Sequence, residues 1–318
     1  MGKAARAVRT GVQSEFIKKF ESLSGRYSIR QIWEDWVVMS AISISNVVDQ
    51  VHAQEREKHY MTLASKYQPQ ELLVFSELFV DFINAMDRNP DQDFLGEMYM
   101  AVGMGNEHAG QFFTPYDVCR CMSEIVSNFD LLKAEIEQKG FVSVLDPACG
   151  AGALLVAFAN DCLRKDINYQ TSVLFVAQDI DYLVGCMCYL QLSILGCAGY
   201  VKIGDSLARP CTSHDSRGLI PVDDGNIWYT PFFFREEWHT RRLAASMALL
   251  FSRLPATPAT EEPATEESPE IAAPAPLQPL PVPEDPAPPV TISPEPEPPV
   301  EVEETVYEAN KYGQLMFF

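Results

Sequence analysis

The stretch that most constrains this chain is Val144-Leu145-Asp146-Pro147-Ala148-Cys149-Gly150-Ala151-Gly152-Ala153. The run Phe141 to Leu145 leading into it is short, apolar and rich in β-branched residues, and Asp146-Pro147 closes it. Such a run reads as a buried strand. Ala153 to Leu163 reads as a helix. A strand that feeds a helix through a glycine loop opens a parallel β-α-β unit. Glycines at that turn permit tight backbone geometry and close approach of a ligand, and the helix start presents free N–H groups. The spacing is not the dinucleotide pattern G-x-G-x-x-G, because Leu155 stands where a third glycine would be. Asp146, at a strand end, is poorly explained by packing.

The unit repeats. Thr171 to Ala177 reads as a second strand, Tyr182 to Leu195 as a helix and Tyr200 to Ile203 as a third strand. Asn226 to Phe234 is a candidate fourth strand. The second strand runs into Gln178-Asp179-Ile180-Asp181 and the third into Gly204-Asp205-Ser206-Leu207. An acid at the second strand end is where a nucleotide ribose is gripped, which points to Asp179. Asp181 reads as a cap of the following helix. Asp205 is placed to accept from an exocyclic adenine amine, although alone it reads as a turn former. Acids at three consecutive strand ends mark that sheet edge as the ligand edge. Upstream, residues 13 to about 120 carry helical spacing, as in Phe16, Phe20 and Leu23 or Ile32, Trp36, Met39 and Ile42. The expected fold is α/β, a Rossmann-like sheet behind an N-terminal helical layer.

After Arg253 the composition changes. Residues 255–304 hold 16 of the 23 prolines, 12 acids and no Lys or Arg. Such a segment buries too little apolar surface to offset its ordering entropy, so 255–306 is expected to be a disordered, acidic, Pro-rich linker. The net charge is −20, of which residues 1–254 carry −8. Bulk attraction to nucleic acid is excluded, so a DNA contact needs a local basic patch or a partner. The eight cysteines form no Cys-x-x-Cys pair and only five histidines exist. Buried thiols in a reducing cytoplasm are expected, and no metal site. Met1 to Thr10 is basic without an apolar core, so it is not a signal peptide. Leu183 to Tyr200 contains Gln191, Ser193 and three glycines, and reads as a buried helix and its exit rather than a membrane span.

Together these residues resemble the N6-adenine DNA methyltransferases of the type I restriction–modification M-subunit kind. The resemblance runs from about Asp93 to Leu207. It includes Leu95-Gly96-Glu97-Met98-Tyr99, Gly110-Gln111-Phe112-Phe113-Thr114-Pro115, the Asp146 to Gly152 loop, Gln178-Asp179 and Gly204 to Leu207. It implies S-adenosylmethionine as cofactor and double-stranded DNA as substrate, with a specificity subunit as partner. By the same resemblance, Phe113, Thr114 and Pro115 pack over the methionine end of the cofactor. Asp146, Pro147, Gly150 and Gly152 run beside it, Asp179 holds the ribose and Asp205 reaches the adenine. Residues 1–120 then form the N-terminal helical region and 121–254 the methyltransferase domain.

The chain departs from the family at its catalytic motif, (Asn/Asp)-Pro-Pro-(Phe/Tyr). Pro-Pro occurs only at 288–289 and 298–299. By position the nearest candidate is Tyr229-Thr230-Pro231-Phe232. Pro231 and Phe232 would shape a stacking platform, but Tyr229 and Thr230 do not reproduce an Asn acceptor for the target amine. Asn226 is a weaker substitute, six residues ahead of the aromatic instead of three. The expected function is methyl transfer to adenine N6 in DNA, of restriction–modification or mobile-element type. The alternative is a catalytically degenerate, cofactor-binding adaptor that binds DNA or the replication sliding clamp. A non-DNA substrate is disfavoured by the Gln-Phe-Phe-Thr-Pro signature.

Residues 307–318 form a C-terminal peptide that ends Gly313-Gln314-Leu315-Met316-Phe317-Phe318. It resembles the peptides by which bacterial proteins dock on the sliding clamp, with Gln314 at the pocket rim and Leu315, Phe317 and Phe318 supplying the apolar end. The alternative is that it folds back onto the domain.

Overall fold

The computed structural model describes residues 11–104, 113–253 and 314–316. The linker at 255–306, most of the C-terminal peptide and Gly110-Gln111-Phe112 lie outside the described residues. The described residues up to Phe251, with 314–316, belong to one compact unit, and Ser252 and Arg253 to a second.

Five helices open the chain: α1 (Gly11–Ser22), α2 (Ile29–Val48), α3 (Ala53–Ala64), α4 (Pro69–Arg88) and α5 (Phe94–Ala101). Their starts are written locally. Ser28 caps α2 by accepting from the Gln31 N–H, and Pro69 opens α4 where a missing N–H costs nothing. Asp93 caps α5 by accepting from the Gly96 N–H. Aromatic rings fill the space between these helices. Phe16 meets Trp36 and Phe94 edge-on at 5.4 and 5.3 Å, and the buried Trp36 Nε1 donates to the Phe75 carbonyl at 3.1 Å.

Helices α6 (Tyr116–Val126) and α7 (Phe129–Lys139) lead to the sheet. Gly140, left-handed at φ +81°, ends α7 and turns the chain into β1 (Val142–Asp146). There follow α8 (Ala153–Arg164), the single turn α9 (Tyr169–Ser172), β2 (Val173–Asp179), α10 (Tyr182–Ile194) and β3 (Ala198–Ile203). Next come β4 (Ile227–Tyr229), a 3₁₀ turn at Pro231–Phe234, α11 (Glu236–Arg253) and β5 (Gln314–Met316). The strand order is β4-β3-β2-β1-β5. All neighbours pair in parallel except β4, which runs antiparallel to β3 with Tyr200 opposite Tyr229. The fourth strand is shorter than 226–234 because Pro231 lacks the ladder N–H and opens the 3₁₀ turn.

One sheet face, with Val144, Phe175 and Val201, joins α8, α10 and the aromatic helical layer in a single core. The other face, with Leu145, Leu174, Val176 and Tyr200, packs on Phe233, Trp238 and Ala245. Both faces of β2 are buried, which is why Val173 to Ala177 is a continuous apolar run instead of an alternating one. Seven of the eight cysteines are buried, and all eight are unpaired. Among the described residues no helix is long and apolar enough to cross a membrane. The 183–200 stretch divides into α10 and the first half of β3.

The described part of the C-terminal peptide does fold back. Gln314, Leu315 and Met316 pair with Ser143, Val144 and Leu145 and give β1 its second neighbour. Deletion of 314–318 is therefore expected to leave β1 as an edge strand. Hydrogen–deuterium exchange across 141–146 should speed up at least about tenfold, since an unpaired strand edge exposes its backbone groups. Unchanged exchange would show that this pairing contributes nothing in solution.

Candidate functional site

The carboxyl ends of β1, β2 and β3 lie side by side, and the sequence-predicted acids sit on them. Asp146 is buried, and its Oδ1 accepts from the Ala148 N–H at 3.1 Å. Burial pushes its carboxyl up to about 6; the Ala148 N–H opposes this and the charge of Asp179 adds to it. The glycine loop then bends sharply. Gly150 has φ +54° and Gly152 φ +92°. A Cβ on Gly152 would stand 2.8 Å from Cys188 Sγ, so a glycine is needed there both for its conformation and for the approach to α10. The Gly150 N–H donates to Asp179 Oδ2 at 2.8 Å, and the Asp181 N–H to Asp179 Oδ1 at 2.9 Å. Asp181 itself caps α10 through the Val184 N–H, as its sequence position suggests.

A cavity of about 710 Å³ opens at this edge. Of the sequence-predicted residues, Phe113, Thr114, Asp146, Pro147 and Gly150 line it. Tyr99 on α5 meets the Phe113 ring at 5.2 Å, and that ring lies against Gly150. Pro115, Gly152, Asp179 and Asp205 do not reach the wall. Pro115 and Gly152 instead start α6 and α8. Asp205 is exposed, and its Oδ1 accepts from the N–H groups of Leu207 and Ala208 at 2.9 and 3.0 Å, which holds its carboxyl below the usual range. It shapes the turn that brings Ser206 and Leu207 to the wall.

Sequence reasoning missed the far wall, formed by Cys119 and Met122 of α6 and by Pro210 and Thr212. It also gave no role to two buried glutamines. Gln191 Nε2 donates to Asp93 Oδ1 and to the Ala151 carbonyl, both at 2.8 Å, and ties α5 to the glycine loop. Burial raises the Asp93 carboxyl, against the pull of Gln191 and the Gly96 N–H. Gln178 braces the loops after β1 and β3. The one sequence signal for either was a polar amide inside an apolar run.

The reading of Tyr229-Thr230-Pro231-Phe232 as a catalytic segment is corrected by strand direction. Antiparallel β4 lies beyond β3, three strand spacings or roughly 14 Å across the sheet from β1, and it carries the chain from the level of Asp146 towards the start of β3. There Thr230 is buried, donating from Oγ1 to the Cys197 carbonyl at 2.7 Å and accepting from the Gly199 N–H at 3.0 Å. Phe232 lies against Gly196, and Arg235 covers its ring at 3.5 Å. Tyr229 stacks on Phe233 at 4.9 Å and donates to Asp223. Asn226 does lie at the carboxyl edge, because β4 starts there, but it is exposed on the outer side of β3, with β3 and β2 between it and β1.

Two outcomes follow from this geometry. A folded-state value near 6 against an ordinary 3.8 means that the folded chain holds the Asp146 proton more tightly. Its stabilising contribution is full below about pH 4 and is lost as pH rises through 6. Asp146→Asn is thus expected to be more stable than the parent above pH 6, by up to about 3 kcal/mol, with the gap closing towards pH 4. Urea unfolding across that range measures it, and a pH-independent gap would contradict the assignment. Thr230→Val should lower stability by about 1–3 kcal/mol through the stranded Cys197 and Gly199 groups. Thermal unfolding of the variant checks this.

Residues 91–233 match the family model of the N-6 DNA methylases. No curated protein matches the chain in sequence. Among solved structures, a Listeria monocytogenes protein described as a class I S-adenosylmethionine-dependent methyltransferase is similar, with 15% identity and a TM-score of 0.37. The similarity covers 62% of this chain and 55% of that one, so the chain spans little more than half of its length. The matched segment contains the cavity, the glycine loop and all three strand-end acids. S-adenosylmethionine fits this cavity. Its sulfonium and ammonium are cations that suit the buried Asp146 carboxylate, and the two left-handed glycines leave the backbone open to it. Over residues 91–233 the chain matches the N-6 DNA methylase family, and that match points to S-adenosylmethionine as cofactor.

Proposed function

We propose that this chain transfers a methyl group from S-adenosylmethionine to N6 of adenine in DNA, together with a specificity subunit, in a restriction–modification or mobile-element system. The observation that carries the reading is the cavity beside Asp146, inside the segment that matches the N-6 DNA methylases. Asp146 faces the cationic methionine end, and Phe113 and Thr114 line the same cavity. Asp179, behind the wall, holds the glycine loop that runs along the cofactor. The loop from Gly204 to Cys211 encloses the adenine. The bound cofactor supplies an activated methyl: the S–CH₃ bond breaks, an N6–CH₃ bond forms, and the amine releases a proton. The protein's task is to position the two partners and exclude water.

A second reading is favoured by the place of Tyr229 to Phe232 at the far sheet edge. In it the chain binds the cofactor without transferring the methyl and acts as an adaptor that binds DNA or, through Gln314, Leu315, Phe317 and Phe318, the sliding clamp.

Mapping N6-methyladenine in a methylation-deficient bacterial host separates the two. The enzyme reading expects modified adenines in one sequence context, lost on Asp146→Ala, from the chain expressed with a specificity subunit. An unmodified genome, with soluble chain that still binds S-adenosylmethionine, would leave the adaptor. Cofactor affinity is also expected to rise as pH increases through 6, by roughly tenfold between pH 5 and 7, because the ionised Asp146 attracts a cation. Calorimetric titration measures the slope, and Asp146→Asn should flatten it.

A further inference from the structure

β2 places a glutamine, 1% exposed, directly after five apolar residues. A buried amide is costly unless every polar atom is used. Gln178 uses all of them on the loops at the cavity edge. Its Nε2 donates to the carbonyls of Gly204 at 3.2 Å and Arg209 at 3.0 Å. Its Oε1 accepts from the Cys211 N–H at 2.9 Å. Its main-chain carbonyl accepts from the Cys149 N–H of the glycine loop at 3.0 Å. The side chain thus grips both ends of the loop after β3, and the backbone of the same residue grips the loop after β1. Between the two grips lie Ser206, Leu207 and Pro210, which line the cavity, as do Asp146 and Gly150 from the loop after β1.

We infer that Gln178 is a positioning residue that fixes the separation of these two loops and thereby sets the affinity for S-adenosylmethionine. The inference rests on the cofactor reading of the cavity. The amide itself stays behind the wall, since Gln178 does not line the cavity. Substitution by methionine keeps the length and approximate volume but removes all three side-chain hydrogen bonds. It frees the loop at Gly204, Arg209 and Cys211 while the backbone bond to Cys149 remains.

The test uses the full chain, titrated calorimetrically with S-adenosylmethionine, alongside thermal unfolding without ligand. Gln178→Met is expected to weaken binding by roughly tenfold or more, the effect of losing two or three buried hydrogen bonds that order a ligand wall. Tyr169→Phe is the control: it removes one buried hydrogen bond, to the Leu195 carbonyl at 2.7 Å, away from the cavity. It should lose stability yet bind within about twofold of the parent. Gln178→Asn, which keeps a shorter amide, should fall between the parent and Gln178→Met, and it stands in if the methionine variant does not fold. Parent-like affinity in the folded Gln178 variants overturns the inference. So does an affinity loss in Tyr169→Phe that matches theirs, because the effect would then follow stability alone. If the parent chain itself binds no S-adenosylmethionine, the cofactor reading fails and not the positioning role.

Discussion

Three loops that leave neighbouring parallel strands would diverge if each were held only by its own strand. Here the end of β2 prevents that. The Gly150 N–H reaches Asp179, the Cys149 N–H reaches the Gln178 carbonyl, and the Gly204 N–H reaches the Asp179 carbonyl. These bonds satisfy backbone donors that the sheet edge would otherwise leave unpaired. They also hold the walls of the cavity at a fixed distance. The raised Asp146 carboxyl depends on this closure, because burial away from water is what pushes it up.

The helical layer is wired to the same point. Asp93 caps α5 and accepts from Gln191, whose amide also holds the Ala151 carbonyl. Tyr99, on the same helix, meets Phe113 above Gly150. The N-terminal helices therefore brace the cavity wall from behind, through Phe113 and the glycine loop, as well as covering the sheet. Their aromatic core is continuous with the sheet face that carries Val144 and Phe175.

At the other end of the sheet, Thr230, Phe232 and Trp238 do structural work. Thr230 stitches β4 to β3, Phe232 seals Gly196, and Trp238 Nε1 donates to the Gln170 carbonyl at 3.0 Å. A segment that sequence position offers as catalytic thus fastens the opposite edge. The cause is one reversal of strand direction, which periodicity does not encode: an antiparallel and a parallel strand share the same two-residue repeat.

The sequence by itself determined the strand–glycine loop–helix unit, the order of elements from 140 to 205, the helical layer, and the identity of the residues at the ligand edge. These are local properties: apolar runs, caps such as Asp181 and Asn168, and glycines where only glycine fits. The tertiary structure alone decided which of those residues meet. It put Asp146 on the cavity wall and Asp205 on an exposed turn, turned Gln178 and Gln191 into braces, reversed β4, and set Gln314–Met316 beside β1. Each of these depends on pairing between segments far apart in the chain. Such pairing is chosen by the fit of whole faces and loops, and no local window contains it.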